Sequence, residues 1–240
     1  MTPATSIQSE AAAGSDAAPG PKGLSQTQRA VRDLREMIVN NHLPPGSNYL
    51  ETELAEMLGM SRTPVREAVI VLESQGLVES RPRRGVRVLP LSARDMEEIY
   101  EVLTELEAHA AERAASAPIK AADREAVETA LRDMDLALAG DDREAWAEAD
   151  KRFHDLLVQL AGNGRLSAIV DSFNDQVHRA RMLTVRLRPS PTKSNQDHRD
   201  LFNAILAGDA AKARALHVRH RTEAKNLIIG LLESHGFHQV

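Results

Sequence analysis

From Gln26 onward, apolar residues fall on a helical period, with Val31, Leu34 and Ile38 on one face. The run Asn40-Asn41-His42-Leu43-Pro44-Pro45-Gly46 stops it. A short helix is predicted from Glu51 to Leu58, ended by Gly59, and a longer one from Arg62 to Gln75, ended by Gly76. Leu77 to Ser80 and Gly85 to Leu89 then alternate as two short strands, joined by the basic turn Arg81-Pro82-Arg83-Arg84. Three helices and a hairpin in this order predict a winged helix-turn-helix over residues 25–90.

After Pro90 the period is helical to the end. Breaks at Pro118, Gly140-Asp141, Gly162-Asn163-Gly164, Pro189-Ser190-Pro191 and Gly208-Asp209 divide this stretch into helices. Sets such as Val127, Leu131, Met134 and Leu138, or Trp146, Phe153, Leu156 and Leu160, each mark one buried face. Residues 91–240 therefore predict an antiparallel bundle of six or seven helices, and the whole chain is mostly α. Residues 1–24, rich in Ala, Ser, Thr, Pro and Gly and lacking either period, read as a disordered tail.

Composition supports this division. Aromatic residues make up only 3% of the chain, so Ala, Leu and Val must build the cores, which suits packed helices. The chain has no cysteine, which excludes disulfides, thiolate metal sites and a cysteine nucleophile. No apolar run approaches the roughly 20 residues that cross a bilayer, so a cytoplasmic protein with no membrane partner is expected. The net charge of −5 looks unfavourable for a nucleic-acid partner, but residues 22–90 carry ten bases against eight acids. The excess of acid lies in the helical part and the tail, and local charge is what a polyanion meets.

Ser61 is a suitable N-cap, and Pro64 is tolerated only in a helix's first turn, so the third helix begins at Ser61 or Arg62. Arg62 and Arg66 then share one face, while Val65, Val69 and Leu72 share the opposite one. Arginines at the start of such a helix can meet guanine edges in the major groove. The stretch Leu54-Ala55-Glu56-Met57-Leu58-Gly59-Met60-Ser61-Arg62-Thr63-Pro64-Val65-Arg66-Glu67-Ala68 closely resembles the signature of GntR-family bacterial regulators. That resemblance implies operator contacts by Ser61, Arg62, Thr63 and Arg66, with Arg84, before the wing glycine, entering the minor groove. Relatives often carry a further DNA-contacting Arg where this chain has Thr52.

In the helical part, Asp150 and His154 are four apart and project from one side of a helix beside Phe153 and Leu157. His198 falls in the fifth helix of the bundle and His220 in the sixth, and antiparallel packing can bring all four to one level. Three His and one Asp suit zinc, nickel, iron or manganese. A plain hydrogen-bonded Asp150–His154 pair satisfies the same spacing. The segments Trp146 to Gly164 and Asp197-His198-Arg199, followed by His220, are similar to the effector domain (FCD-like) of the FadR-type branch of GntR regulators. The resemblance implies that Asp150, His154, His198 and His220 hold a divalent metal, zinc first among these. His217, on the same helix as His220 but three residues off the matching position, is the rival ligand, with His178 behind it. The resemblance also implies a homodimer on double-stranded operator DNA, in most relatives a repressor, released by a small carboxylate effector. Many members place an effector-binding Arg where this chain has Leu103. The alternatives are a metal-dependent hydrolase, which would need a general base that the sequence does not place near the histidines, and a regulator without metal.

Overall fold

The computed structural model describes residues 24–234. The tail reading for residues 1–23 lies outside them.

The first helix, α1 (Gln26–Val39), opens on a reciprocal capping box between Ser25 and Gln28 and buries Ala30, Leu34 and Ile38. Strand β1 (Asn48–Tyr49) precedes α2 (Glu51–Leu58), which Gly59 ends in the left-handed conformation. Helix α3 (Arg62–Ser74) buries Val65, Ala68, Val69 and Leu72, the face its sequence period marked. Strands β2 (Val78–Arg81) and β3 (Gly85–Val88) form the wing.

The sheet has three antiparallel strands in the order β1-β3-β2, with Tyr49 opposite Val86 and Arg81 opposite Gly85. The sequence predicts only the hairpin. Two residues are too few to display alternation, so β1 depends on β3 being present. Gly85 permits this close approach: its φ is +79°, and a Cβ there would sit 2.2 Å from the Tyr49 carbonyl oxygen. Arg81 belongs to β2 and pairs with Glu79 at 2.9 Å, leaving Arg83 and Arg84 at the tip.

Six further helices follow among the described residues: α4 (Ala93–Ala115), α5 (Ala121–Ala139), α6 (Arg143–Leu160), α7 (Gly164–Thr184), α8 (Thr192–Leu206) and α9 (Ala210–Ser234). Asp142 and Asn163 cap α6 and α7 through their side chains. One apolar cluster joins α5, α6 and α8 around Met134, Trp146, Phe153 and Phe202. A second joins α4, α7 and α9 around Tyr100, Leu103, Val177 and Ile228. Between them lies a buried polar layer formed by Glu107, Asp150, His154, Arg181, His198, His217, His220 and Arg221.

The winged head rests on α7. Asp175 meets Arg35 of α1 at 2.9 Å, and the Gln176 amide donates to the Gln75 carbonyl at the end of α3 at 3.0 Å. Arg179 donates to the Leu89 carbonyl, just after the wing, at 2.9 Å. No helix among the described residues is long and apolar enough to cross a membrane.

Candidate functional site

At the head, α3 presents Arg62, Thr63 and Arg66 to solvent, and the hairpin presents Arg84. Arg62, 68% exposed, stands 3.7 Å from Glu51 of α2. Such an exposed pair contributes about 1 kcal/mol at most, so the guanidinium exchanges partners at little cost. Arg66 and Arg84 have no ion pair among the described residues. Ser61 occupies the N-cap with extended backbone, yet its hydroxyl makes no capping bond. The start of α3 is set by backbone geometry and by Pro64 in the first turn, and the Ser61 hydroxyl is left facing outward.

In the bundle, the structure brings Asp150, His154, His198 and His220 together. One ligand atom from each lies within 4.8 Å of all the others, and all four residues are buried. His198 Nε2 is 3.0 Å from His220 Nε2 and 3.4 Å from Asp150 Oδ1, and His154 Nε2 is 3.8 Å from that same oxygen. The i, i+4 spacing on α6 supplies two of these groups, while α8 and α9 supply one each. Arg181 of α7 holds the other Asp150 oxygen at 2.6 Å.

A second buried group shares His154. Glu107 Oε2 lies 2.9 Å from His217 Nε2 and 3.3 Å from His154 Nδ1, while Arg221 Nη2 approaches the other oxygen at 3.2 Å. Arg221 in turn lies over the Tyr100 ring, 4.8 Å from its centroid. His217 is thus adjacent to the four-residue cluster but bonded away from it. His178 is outside both groups, 3.2 Å from Glu148.

Protonation follows from these surroundings. Burial lowers His154 to about 3, against the opposing pull of Glu107 and Asp150. Burial, with His220 alongside, also takes His198 well below its ordinary value. Burial pushes the Asp150 carboxyl up, but Arg181 and the imidazoles outweigh this and hold it well below the usual carboxylate range. At neutral pH the pocket offers the ionised Asp150 carboxylate and the neutral imidazoles of His154 and His198, the state a cation requires. One donor also needs one: Nε2 of His154, the ring nitrogen that faces Asp150, is buried with no hydrogen-bond partner. An unpaired polar atom at this depth is costly, and a divalent ion accepting the lone pair of His154 Nε2 would answer it.

A cavity of about 200 Å³ opens on Asp150 and His220, with Trp146, Val185 and Leu227 as apolar wall and Arg181 and Arg188 among its polar lining. Leu103 is fully buried in the apolar cluster with Met96 and Tyr100 and does not line this cavity. The arginines come from α7 and the turn after it instead. Their signal is present in the sequence: Arg181, Val185 and Arg188 are spaced i, i+4, i+7. Glu107 has one too, as an acid in the stripe Leu103, Ala110, Ala114.

A winged helix with basic exposed residues, joined to a helical bundle with a cavity beside a buried polar cluster, defines the class of a helix-turn-helix DNA-binding protein with a second, helical domain. Residues 26–88 match the model of bacterial regulatory proteins of the gntR family, and residues 98–223 match the FCD domain. The chain belongs to the GntR family and combines its helix-turn-helix with an FCD domain. It is 32% identical to the HTH-type transcriptional regulator YdhC of Bacillus subtilis, over 79% of this chain and 86% of that one. It is 29% identical to the transcriptional repressor RspR of Escherichia coli, over 82% and 86%. Among solved structures, a GntR transcriptional regulator from Rhodococcus sp. RHA1 superposes with a TM-score of 0.72 at 25% identity, covering 86% of this chain and 99% of that one. The family consists of transcription regulators and not enzymes, which sets the hydrolase alternative aside.

Proposed function

We propose that this protein is a cytoplasmic, homodimeric repressor whose hold on operator DNA is released by a small organic acid bound beside a divalent metal, zinc first, in the helical part. Residues 25–90 are the reading head and residues 91–240 the sensor and dimerisation unit. Ser61, Arg62, Thr63 and Arg66 face the major groove and Arg84 the minor groove. A single recognition helix makes few base contacts, so two copies on a palindromic site are needed for specificity.

The observation that carries the reading is the buried convergence of Asp150, His154, His198 and His220, with Nε2 of His154 left unpartnered among them. These four residues would hold the metal, which when bound supplies a Lewis-acidic position for a carboxylate oxygen. The rest follows from the chain's own side chains. Arg181 keeps Asp150 ionised and oriented at 2.6 Å, and Glu107 faces Nδ1 of His154, which favours Nε2 as the ligand atom. Helix α7 links sensor and head: Arg181 is on its pocket face, and Asp175, Gln176 and Arg179 hold α1, the end of α3 and the end of the wing. An effector that binds better to one position of α7 therefore shifts the population of DNA-competent dimers.

His198→Ala tests the reading. The wild-type chain is expected to retain one zinc per protomer after mild purification, measured by elemental analysis, and the variant to lose it while the head still binds a footprinted operator fragment. Equal zinc in both proteins refutes the assignment of His198.

A further inference from the structure

The cavity beside Asp150 and His220 is lined by four cationic side chains, Arg143, Arg181, Arg188 and Lys193. Three of them have carboxylate partners. Arg143 Nε lies 3.0 Å from Asp141, Arg181 Nη1 2.6 Å from Asp150, and Lys193 Nζ 2.8 Å from Asp197. Arg188 has no carboxylate partner among the described residues. Its Nε and Nη2 donate to the Thr184 hydroxyl at 3.0 and 2.7 Å, and Nη2 donates also to the Arg181 carbonyl at 3.2 Å.

Those two neutral acceptors fix the plane of the guanidinium and leave the two N–H groups of Nη1 without a described acceptor. The position is unfavourable for a bare cation: burial pulls Arg188 down to about 10, with the Arg181 guanidinium adding repulsion and Tyr100 and Asp150 opposing. A charge kept in a cavity without its counter-charge is stabilised when an anion enters. Trp146, Val185 and Leu227 give the same cavity an apolar lining, so the rest of the ligand gains by being hydrocarbon. A cavity of about 150 Å³ takes up benzene, and this one, at about 200 Å³, has room for a ring or short chain plus a carboxylate.

We propose that Arg188 is the anion-recognising residue of this cavity and selects a small carboxylate with a compact apolar body. The inference rests on reading the helical part as a sensor, and it does not require the metal. The charge of Arg181 is already met by Asp150 at 2.6 Å, whereas that of Arg188 is not. Thr184 acts as a positioning residue, since its hydroxyl holds Arg188 while itself donating to the Ala180 carbonyl at 2.7 Å.

The test is calorimetric titration of the full chain, zinc-loaded and chelator-treated, with benzoate and butyrate and with their neutral analogues benzamide and butyramide. The acids are expected to bind the wild type and the amides to bind at least about tenfold more weakly, as loss of a charged hydrogen bond predicts. Arg188→Gln should weaken the acids by a similar factor, Arg188→Lys by less, and neither should change zinc content. Amides binding as well as acids, no binding of either acid at millimolar concentration, or wild-type affinity in Arg188→Gln would each overturn the proposal. If Arg188→Gln fails to fold, Arg188→Lys in the chelator-treated chain decides: weaker acid binding supports the proposal, and acid affinity equal to the wild type overturns it. A wild type without zinc whose acid binding depends on Arg188 would remove the metal reading and leave this one standing. Bound zinc with acid binding indifferent to Arg188 would do the reverse.

Discussion

Glu107 is the group whose replacement tests the buried polar layer most directly. It is 1% exposed, as is Arg221, whose only carboxylate partner among the described residues is Glu107 at 3.2 Å. Burial pushes the Glu107 carboxyl up, but Arg221 and then His154 and His217 outweigh that and hold it well below its ordinary value. Glu107→Gln keeps the shape and removes the charge, leaving a buried guanidinium uncompensated. Removing one partner of a buried pair costs about 3–5 kcal/mol, and the retained amide oxygen places the expectation near the lower end, about 3 kcal/mol. For a chain of this size each kcal/mol moves the melting temperature by about 2–4 °C, so a fall of about 6–12 °C is expected in circular dichroism at 222 nm. A second readout isolates the role of Glu107 toward His154. Loss of a carboxylate behind a metal-ligating imidazole weakens the metal by about 10–100-fold, measurable by competition with a chromophoric chelator. A melting temperature within about 2 °C of wild type, as little as a surface change would cause, refutes the reasoning on the ion pair. Unchanged zinc affinity refutes the orienting role.

Two further expectations concern the head and the acid limb. Arg66→Ala should weaken operator binding by about 1–3 kcal/mol per half-site in an electrophoretic shift assay, with the melting of the helical part unaltered; undiminished affinity would remove Arg66 from the reading face. Stability of the metal-free protein should fall as pH is lowered from about 6.5 toward 3. In that window the unfolded chain binds a proton at His154 that the folded chain, titrating at about 3, refuses. His198 and His217 are displaced in the same direction. The depressed carboxyls of Asp150 and Glu107 add stability that is present above their unfolded values and lost as pH falls below them. Urea midpoints that match at pH 7.5 and pH 5 would contradict this.

Elements governed by neighbours along the chain are legible in the sequence itself. The stop at Pro44-Pro45-Gly46, the left-handed Gly59, the first-turn Pro64 and the amphipathic stripes of α3 and α6 act within one or two helical turns, and each element forms where its residues predict. Arg62 and Arg66 share a face because helical geometry alone puts them there, as it does Asp150 and His154. Resemblance to the family extends this to His198 and His220.

What depends on packing is not legible in that way. Strand β1 exists because β3 approaches it over Gly85, and Arg81 leaves the wing tip for Glu79. The Ser61 hydroxyl has the right chemistry for a cap and does not make the bond. Glu107 and Arg221 come from helices α4 and α9, far apart in the chain, and their pairing requires both helices to pack. Leu103 belongs to the core rather than the pocket because α4 packs against α7 and α9. Local sequence sets the helices and the start of the recognition helix, because backbone hydrogen bonding and side-chain periodicity act over a few residues. Tertiary structure decides which buried charges meet, because that depends on how five separate helices dock, and it leaves Arg188 as the cavity's cation with no carboxylate partner among the described residues.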